Sequence, residues 1–149
     1  MRLALGEDPY RLRRFVDAQE GIYETALAEL HEGRKRSHWM WFIFPQFVGL
    51  GASAMSELYA IGGLDEARAF LAHPVLGPRL RACCSALLGL QGRSAQEILG
   101  SPDDLKLQSS ATLFGLVAEP DSVFRRVIDR YYGGRRDERT LELVASGVG

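Results

Sequence analysis

Lys35 to Gly51 reads K-R-S-H-W-M-W-F-I-F-P-Q-F-V-G-L-G, and whether it forms strand or helix decides the fold class. As a strand, Trp39, Trp41 and Ile43 would share one face. As a helix, Trp39, Phe42, Ile43 and Gln46 would share one. A run this short does not separate the two periods, and Pro45 stops regular structure soon after Phe44. The decision comes from the rest of the chain, which contains no other convincing strand to pair with. The stretch is therefore expected to be a short helix or irregular turn packed in the core.

Upstream, Asp8-Pro9 reads as a helix cap followed by proline at the first helical position. Apolar residues then recur at Leu12, Phe15, Val16, Ala18, Ile22, Tyr23, Ala26, Leu27 and Leu30. Spacings of three and four predict one amphipathic helix, ended by Gly33. Arg13, Asp17, Glu20, Glu24 and Glu29 take its other face. Gly21 inside it costs about 1 kcal/mol relative to alanine, and close approach of another backbone is the expected reason to tolerate it.

Downstream, Ser53 is expected to cap a short helix through Tyr59, and Asp65 another carrying Phe70 and Leu71. His73-Pro74 opens a helix with a buried stripe of Leu76, Leu80, Cys83, Cys84, Leu87 and Leu88. Ser94 starts a turn of helix ended by Gly100. Ser101-Pro102-Asp103-Asp104 is a strong start signal, with two carboxylates against the positive end of the helix. Pro120-Asp121 opens the next helix, and Asp137 caps the last before a Gly-Val-Gly tail expected to fray. Every patterned segment is helical and the connections are short. The expectation is a single all-α domain over residues 1–149, a globular array of seven or eight helices of mixed length.

Composition narrows the function classes. The chain has 149 residues, 46% apolar and 25% charged, with a net charge of −1. Such a charge gives no long-range attraction for a polyanion, so nucleic-acid binding is not expected despite the basic cluster Arg125, Arg126, Arg130, Arg135 and Arg136. No apolar run approaches a membrane span. Residues 1–8 contain no secretory apolar region, so the expected location is cytoplasmic. Adjacent Cys83 and Cys84 diverge on a helix and are read as small core hydrophobes. The three histidines and two cysteines show no metal-ligand spacing, and no cofactor motif is present.

Two stretches carry the candidate chemistry. Residues 35–51 hold both tryptophans, three of the seven phenylalanines and one of the three histidines. Burial explains the aromatics, but Lys35, His38 and Gln46 are polar neighbours that a core plug does not require. The second stretch is Asp103 to Thr112, in which Asp103, Lys106 and Ser110 share one helix face, with Ser109 and Thr112 on the adjacent one. Small hydroxyl residues in mid-helix oppose helix propensity and suit a close approach or a polar pocket. All but two of the 18 cationic residues are arginine. Lys35 and Lys106 are the exceptions, where a compact ammonium serves better than a planar guanidinium.

These segments resemble the domain of unknown function 1810 family. The likeness rests on F-V-D-A-Q at 15–19, Y-E-T-A-L at 23–27, K-R-S-H-W-M-W-F-I-F-P-Q at 35–46, H-P-V-L-G at 73–77, S-P-D-D-L-K at 101–106 and S-S-A-T-L-F at 109–114, and spans nearly the whole chain. The resemblance implies a cytoplasmic all-helical domain and no established activity. The calpastatin label sometimes given to members finds no support in these residues. Its hallmark positions coincide with Lys35, His38, Trp39, Trp41, Gln46, Asp103, Lys106 and Ser109.

The expectation is a site for a small anionic or nucleotide-like ligand where residues 35–51 meet 101–114. Lys35 and Lys106 would hold the anion, and Trp39 or Trp41 would wall a planar group. His38 or Asp103 would move a proton, and Gln46 and Ser109 would orient the ligand. No reaction is named by this pattern. The alternative is a protein-interaction module without catalytic activity, its partner unknown, in which the aromatics are only core.

Overall fold

The computed structural model describes residues 7–147, so the reading of Met1–Gly6 and the end of the expected tail, Val148-Gly149, lie outside the described residues. Ten helices follow one another: α1 Arg13–Gln19, α2 Tyr23–Glu32, α3 Met40–Ile43, α4 Ala54–Leu58, α5 Leu64–Ala72, α6 Leu76–Leu88, α7 Ala95–Leu99, α8 Asp103–Val117, α9 Val123–Tyr132 and α10 Glu138–Ala145. The count exceeds the seven or eight expected for two physical reasons. The helix predicted across Leu12–Leu30 is broken, and the aromatic stretch forms a helix of its own.

The break lies at Gly21, whose φ of +72° is left-handed, and a Cβ there would meet nothing within 4 Å. The glycine therefore serves a turn, and the expected close approach is absent. Asp8 and Pro9 are not the cap and first residue of α1, which begins at Arg13 with Leu12 in the N-cap position; Asp8 accepts from Leu12 N (2.8 Å) and Arg13 N (2.9 Å) from the turn before it. The close approach that does occur is at Gly77, where a Cβ would stand 2.1 Å from the Leu71 carbonyl oxygen. Glycine there lets the start of α6 press against the end of α5.

The aromatic stretch is helix over only four residues, Met40–Ile43. The single strand-like feature among the described residues is an isolated parallel bridge between Phe47 and Ile61. Ile61 N donates to Gln46 O and Val48 N to Ile61 O, both at 2.9 Å. Three caps behave as read: Ser53 and Ser94 cap α4 and α7, and Asp137 caps α10. Two more, besides Asp8, differ. Gly63 precedes α5, with Asp65 in its first turn beside Arg68, and Ser122 caps α9 in place of Pro120-Asp121.

Helix α8 is the axis of the molecule. It packs on α5, α7, α9 and α10, while α6 packs on α2, α5 and α9. Leu107 and every residue from Ser109 to Phe114 are buried, as expected of a helix enclosed by neighbours. A row of aromatic contacts crosses the core from α1 to α9: Phe15–Phe70 at 5.1 Å, Phe70–Phe114 at 5.2 Å and Phe114–Phe124 at 5.8 Å between ring centroids. Such pairs add to the apolar burial that dominates stability. The first turn of α8 is joined to the aromatic stretch by the ion pair of Asp103 with Lys35.

Candidate functional site

The geometry begins at Glu29. Sequence periodicity places it on the solvent face of the first helix, yet it is only 6% exposed. Its carboxylate accepts from Arg36 N (2.8 Å), Ser37 N (3.0 Å), Trp39 Nε1 (2.9 Å) and the Ser37 hydroxyl. Burial pushes its pKa up, but these hydrogen bonds outweigh burial and hold it at about 2. The chain after α2 is thus wrapped around a buried carboxylate. That fold-back presents Lys35, whose backbone N–H donates to Ile98 O at 2.7 Å.

Lys35 and Lys106, the two lysines of the chain, meet at Asp103. Lys35 Nζ lies 3.0 Å from Asp103 Oδ2 and donates to Ser37 O at 2.6 Å. Lys106 Nζ lies 3.5 Å from Asp103 Oδ1, one helical turn along α8. Each ammonium also faces a tryptophan: Lys35 stands 5.0 Å from the Trp39 ring centroid and Lys106 5.5 Å from that of Trp41. A cation over an indole face is stabilised by the ring quadrupole. The Lys35 side chain is 9% exposed and that of Lys106 25%, so Lys35 is the inner, structural partner and Lys106 the reachable one.

Beside Lys106 opens a cleft of about 250 Å³ between residues 46–56 and the first turns of α8. Gln46, Ser56, Lys106, Ser109 and Asp137 supply its polar lining, and Leu50, Pro102 and Leu105 its apolar lining. Ser109 Oγ stands 3.1 Å from both Leu105 O and Asp137 Oδ2, so its one proton is shared between them. Asp137 Oδ2 also accepts from Thr140 N at 3.0 Å and from the Thr140 hydroxyl. Asp137 N in turn donates to Thr112 Oγ1 at 2.8 Å. The hydroxyls of α8 thus tie down the start of α10 and aim a carboxylate at the cleft.

Of the residues singled out in the sequence, Gln46, Lys106 and Ser109 line this cleft. Lys35 and Asp103 stand behind Lys106 and do not line it. Trp39 is fully buried, with its indole N–H held by Glu29, so it belongs to the core and is not a ligand wall. Trp41 is half-buried above Lys106. His38 is exposed, away from the cleft, and Asp103 has both oxygens in ion pairs. Neither stands as a proton-transfer group inside the cleft. Asp137 is the residue that sequence reasoning missed as a site group. Its cap signature was plain, but nothing local says that α10 would dock beside Lys106.

The other titratable candidates lie outside this cleft. His73 Nδ1 accepts from Val75 N (3.1 Å) and Leu76 N (3.3 Å), serving the start of α6. Cys83 and Cys84 are free and buried, and burial pushes the Cys83 thiol up to about 12 and the Cys84 thiol up as well. Among the described residues, no three His, Cys, Asp or Glu side chains are grouped to hold a metal ion. No helix among them is long and apolar enough to cross a membrane.

An array of ten mostly short helices around one buried central helix, with a paired-lysine cluster at that helix's start, defines an all-α class of protein. The chain belongs to the family described as Protein of unknown function (DUF1810), whose model matches residues 9–144. It is similar to the crystal structure of the conserved hypothetical protein Rv1873 from Mycobacterium tuberculosis, with 50% sequence identity and a TM-score of 0.91. That likeness covers 93% of this chain and 99% of the mycobacterial one. No curated protein matches the chain.

Proposed function

We propose that this protein binds a small ligand bearing an anionic group, with Lys106 as the anchoring cation. The observation that carries the reading is the cleft beside Lys106, where Gln46, Ser109 and Asp137 also converge. Asp103 pairs with Lys106 from behind and is itself held by Lys35. Gln46 and Ser56 offer hydrogen bonds to the ligand, and Asp137 suits a ligand donor such as a hydroxyl. At about 250 Å³ the cleft is below the roughly 300–1,000 Å³ of sites that enclose a whole drug-sized molecule. It therefore takes a headgroup the size of a phosphate or a carboxylated fragment. A nucleotide-sized ligand would extend over Leu105 into the neighbouring cleft of about 670 Å³, which shares Leu105 and Asp137 and adds Tyr131, Arg135 and Arg136.

The test is a thermal-shift screen with inorganic phosphate, sugar phosphates and nucleotides, run on the wild type and on Lys106→Ala. A ligand at one hundred times its dissociation constant stabilises a fold by about 2.7 kcal/mol. In a domain of this size that raises Tm by several degrees. A shift lost in Lys106→Ala supports the site. Silence across the panel, or a shift that survives in the variant, removes it and leaves the interaction module as the better reading.

A further inference from the structure

A second cleft, of about 680 Å³, lies where residues 7–10 and α1 meet α5 and the turn before α6. It falls within the range typical of small-molecule sites, and its chemistry is the opposite of the Lys106 cleft. Tyr10, Leu12, Val16, Ala69, Ala72 and Pro74 give it an apolar wall. Its polar groups are few, and one is oriented. His73 Nδ1 accepts from the backbone N–H groups of Val75 and Leu76, so the neutral ring carries its proton on Nε2. No described residue accepts from Nε2, and it is not among the atoms sealed from solvent without a partner. Burial lowers the pKa of His73, against a smaller opposing effect of Asp8, which favours this neutral form.

The charges around the cleft select among ligands. Glu7, Asp8 and Asp17 are carboxylates, and Arg13 is the one guanidinium in the lining. Arg13 stands 3.7 Å from Asp17, and both oxygens of Asp8 are occupied by the start of α1. With His73 neutral, three negative charges face one positive charge, and an anion entering here is repelled. We infer that this cleft is a binding site for an uncharged, largely apolar molecule carrying one hydrogen-bond acceptor, which His73 Nε2–H recognises. The inference is independent of the anion site at Lys106, and either can fail alone.

Quinoline is a suitable probe, being largely apolar, uncharged at neutral pH and equipped with one acceptor nitrogen. Titrated into the full chain under two-dimensional NMR, it is expected to shift the backbone amides of Val16, Ala69 and Ala72. Quinoline-6-carboxylate, of the same shape with a negative charge, is expected to bind roughly tenfold more weakly. His73→Phe keeps the ring and removes the donor, and a lost hydrogen bond corresponds to an affinity loss of up to about tenfold. Because that change also removes the hydrogen bonds that Nδ1 accepts from Val75 N and Leu76 N, Ala72→Trp supplies the second test. It is an exposed helical position whose enlarged side chain fills the cleft and is expected to abolish the shifts.

The proposal is overturned if quinoline leaves these amides unmoved, if Ala72→Trp binds as the wild type does, or if the carboxylate binds equally well. It is also overturned if the same amides shift with protein concentration alone, which would make the cleft a contact with a second copy. Overhauser contacts from residues 1–6 to Val16 or Ala72 would assign the cleft to the chain itself and would equally overturn it.

Discussion

Glu29 costs solvation energy to bury, and its four hydrogen bonds more than offset that cost, which is why its pKa falls to about 2 in spite of burial. The linkage has a definite sign. The folded-state pKa lies below the ordinary 4.5, so the stabilisation is fully present above pH 4.5 and is lost as pH falls towards 2. Urea unfolding is therefore expected to show wild type and Glu29→Gln far apart at pH 7, by about 3 kcal/mol, with the gap closing between pH 4.5 and pH 2. A gap that does not change with pH would mean that the Glu29 charge contributes nothing. The cysteines make the complementary case. Burial raises both thiols and keeps the reactive thiolate scarce. A thiol reagent is expected to label Cys83 and Cys84 only at the rate of unfolding, whereas labelling in native buffer within seconds would contradict their burial.

At the scale of the helix, two glycines act by different means, and a single substitution tells them apart. Gly21→Ala places a side chain at φ +72° with open space around it, so the cost is backbone strain alone, about 1 kcal/mol. Gly77→Ala drives a Cβ into the Leu71 carbonyl and must push α6 off α5, which costs about 3 kcal/mol. Equal losses in a urea titration would contradict this assignment. The pair also shows what the sequence discloses. Helix identity was legible almost everywhere because apolar spacing and caps are local. The break at Gly21 was not, since apolar residues continue at helical spacing on both sides and a left-handed residue leaves no mark in that pattern. Glu29 was hidden for a related reason: its helical phase is polar, and only the fold-back of residues 36–39 buries it.

At the scale of the molecule, the candidate site depends on three segments distant in sequence. The pairing of 35–51 with the start of α8 was legible, because the only two lysines flank aromatic and hydroxyl-rich runs. The roles within it were not. Trp39 and Trp41 are near-equivalent as text, but only the packing sends one into the core and leaves the other above Lys106. The joint itself is open to a double-mutant cycle on Lys35 and Asp103. Asp103→Asn leaves the Lys35 ammonium, 9% exposed and set against Trp39, without its charge partner. Removing one member of a largely buried ion pair costs about 3 kcal/mol. Lys35→Met exchanges the ammonium for an apolar chain of similar length and leaves Asp103 with Lys106, so its cost is smaller. The double variant leaves no uncompensated charge at Lys35, so its loss is expected to fall below the sum of the two single losses by about 2 kcal/mol. Lys106, more exposed and 3.5 Å from the carboxylate, is expected to couple to Asp103 by less than about 1 kcal/mol. Measured by urea unfolding, that asymmetry would make Lys35 the strut joining the aromatic stretch to α8 and leave Lys106 free to serve a ligand. Equal coupling of the two lysines would mean that both are structural, and the anion site would lose its anchor.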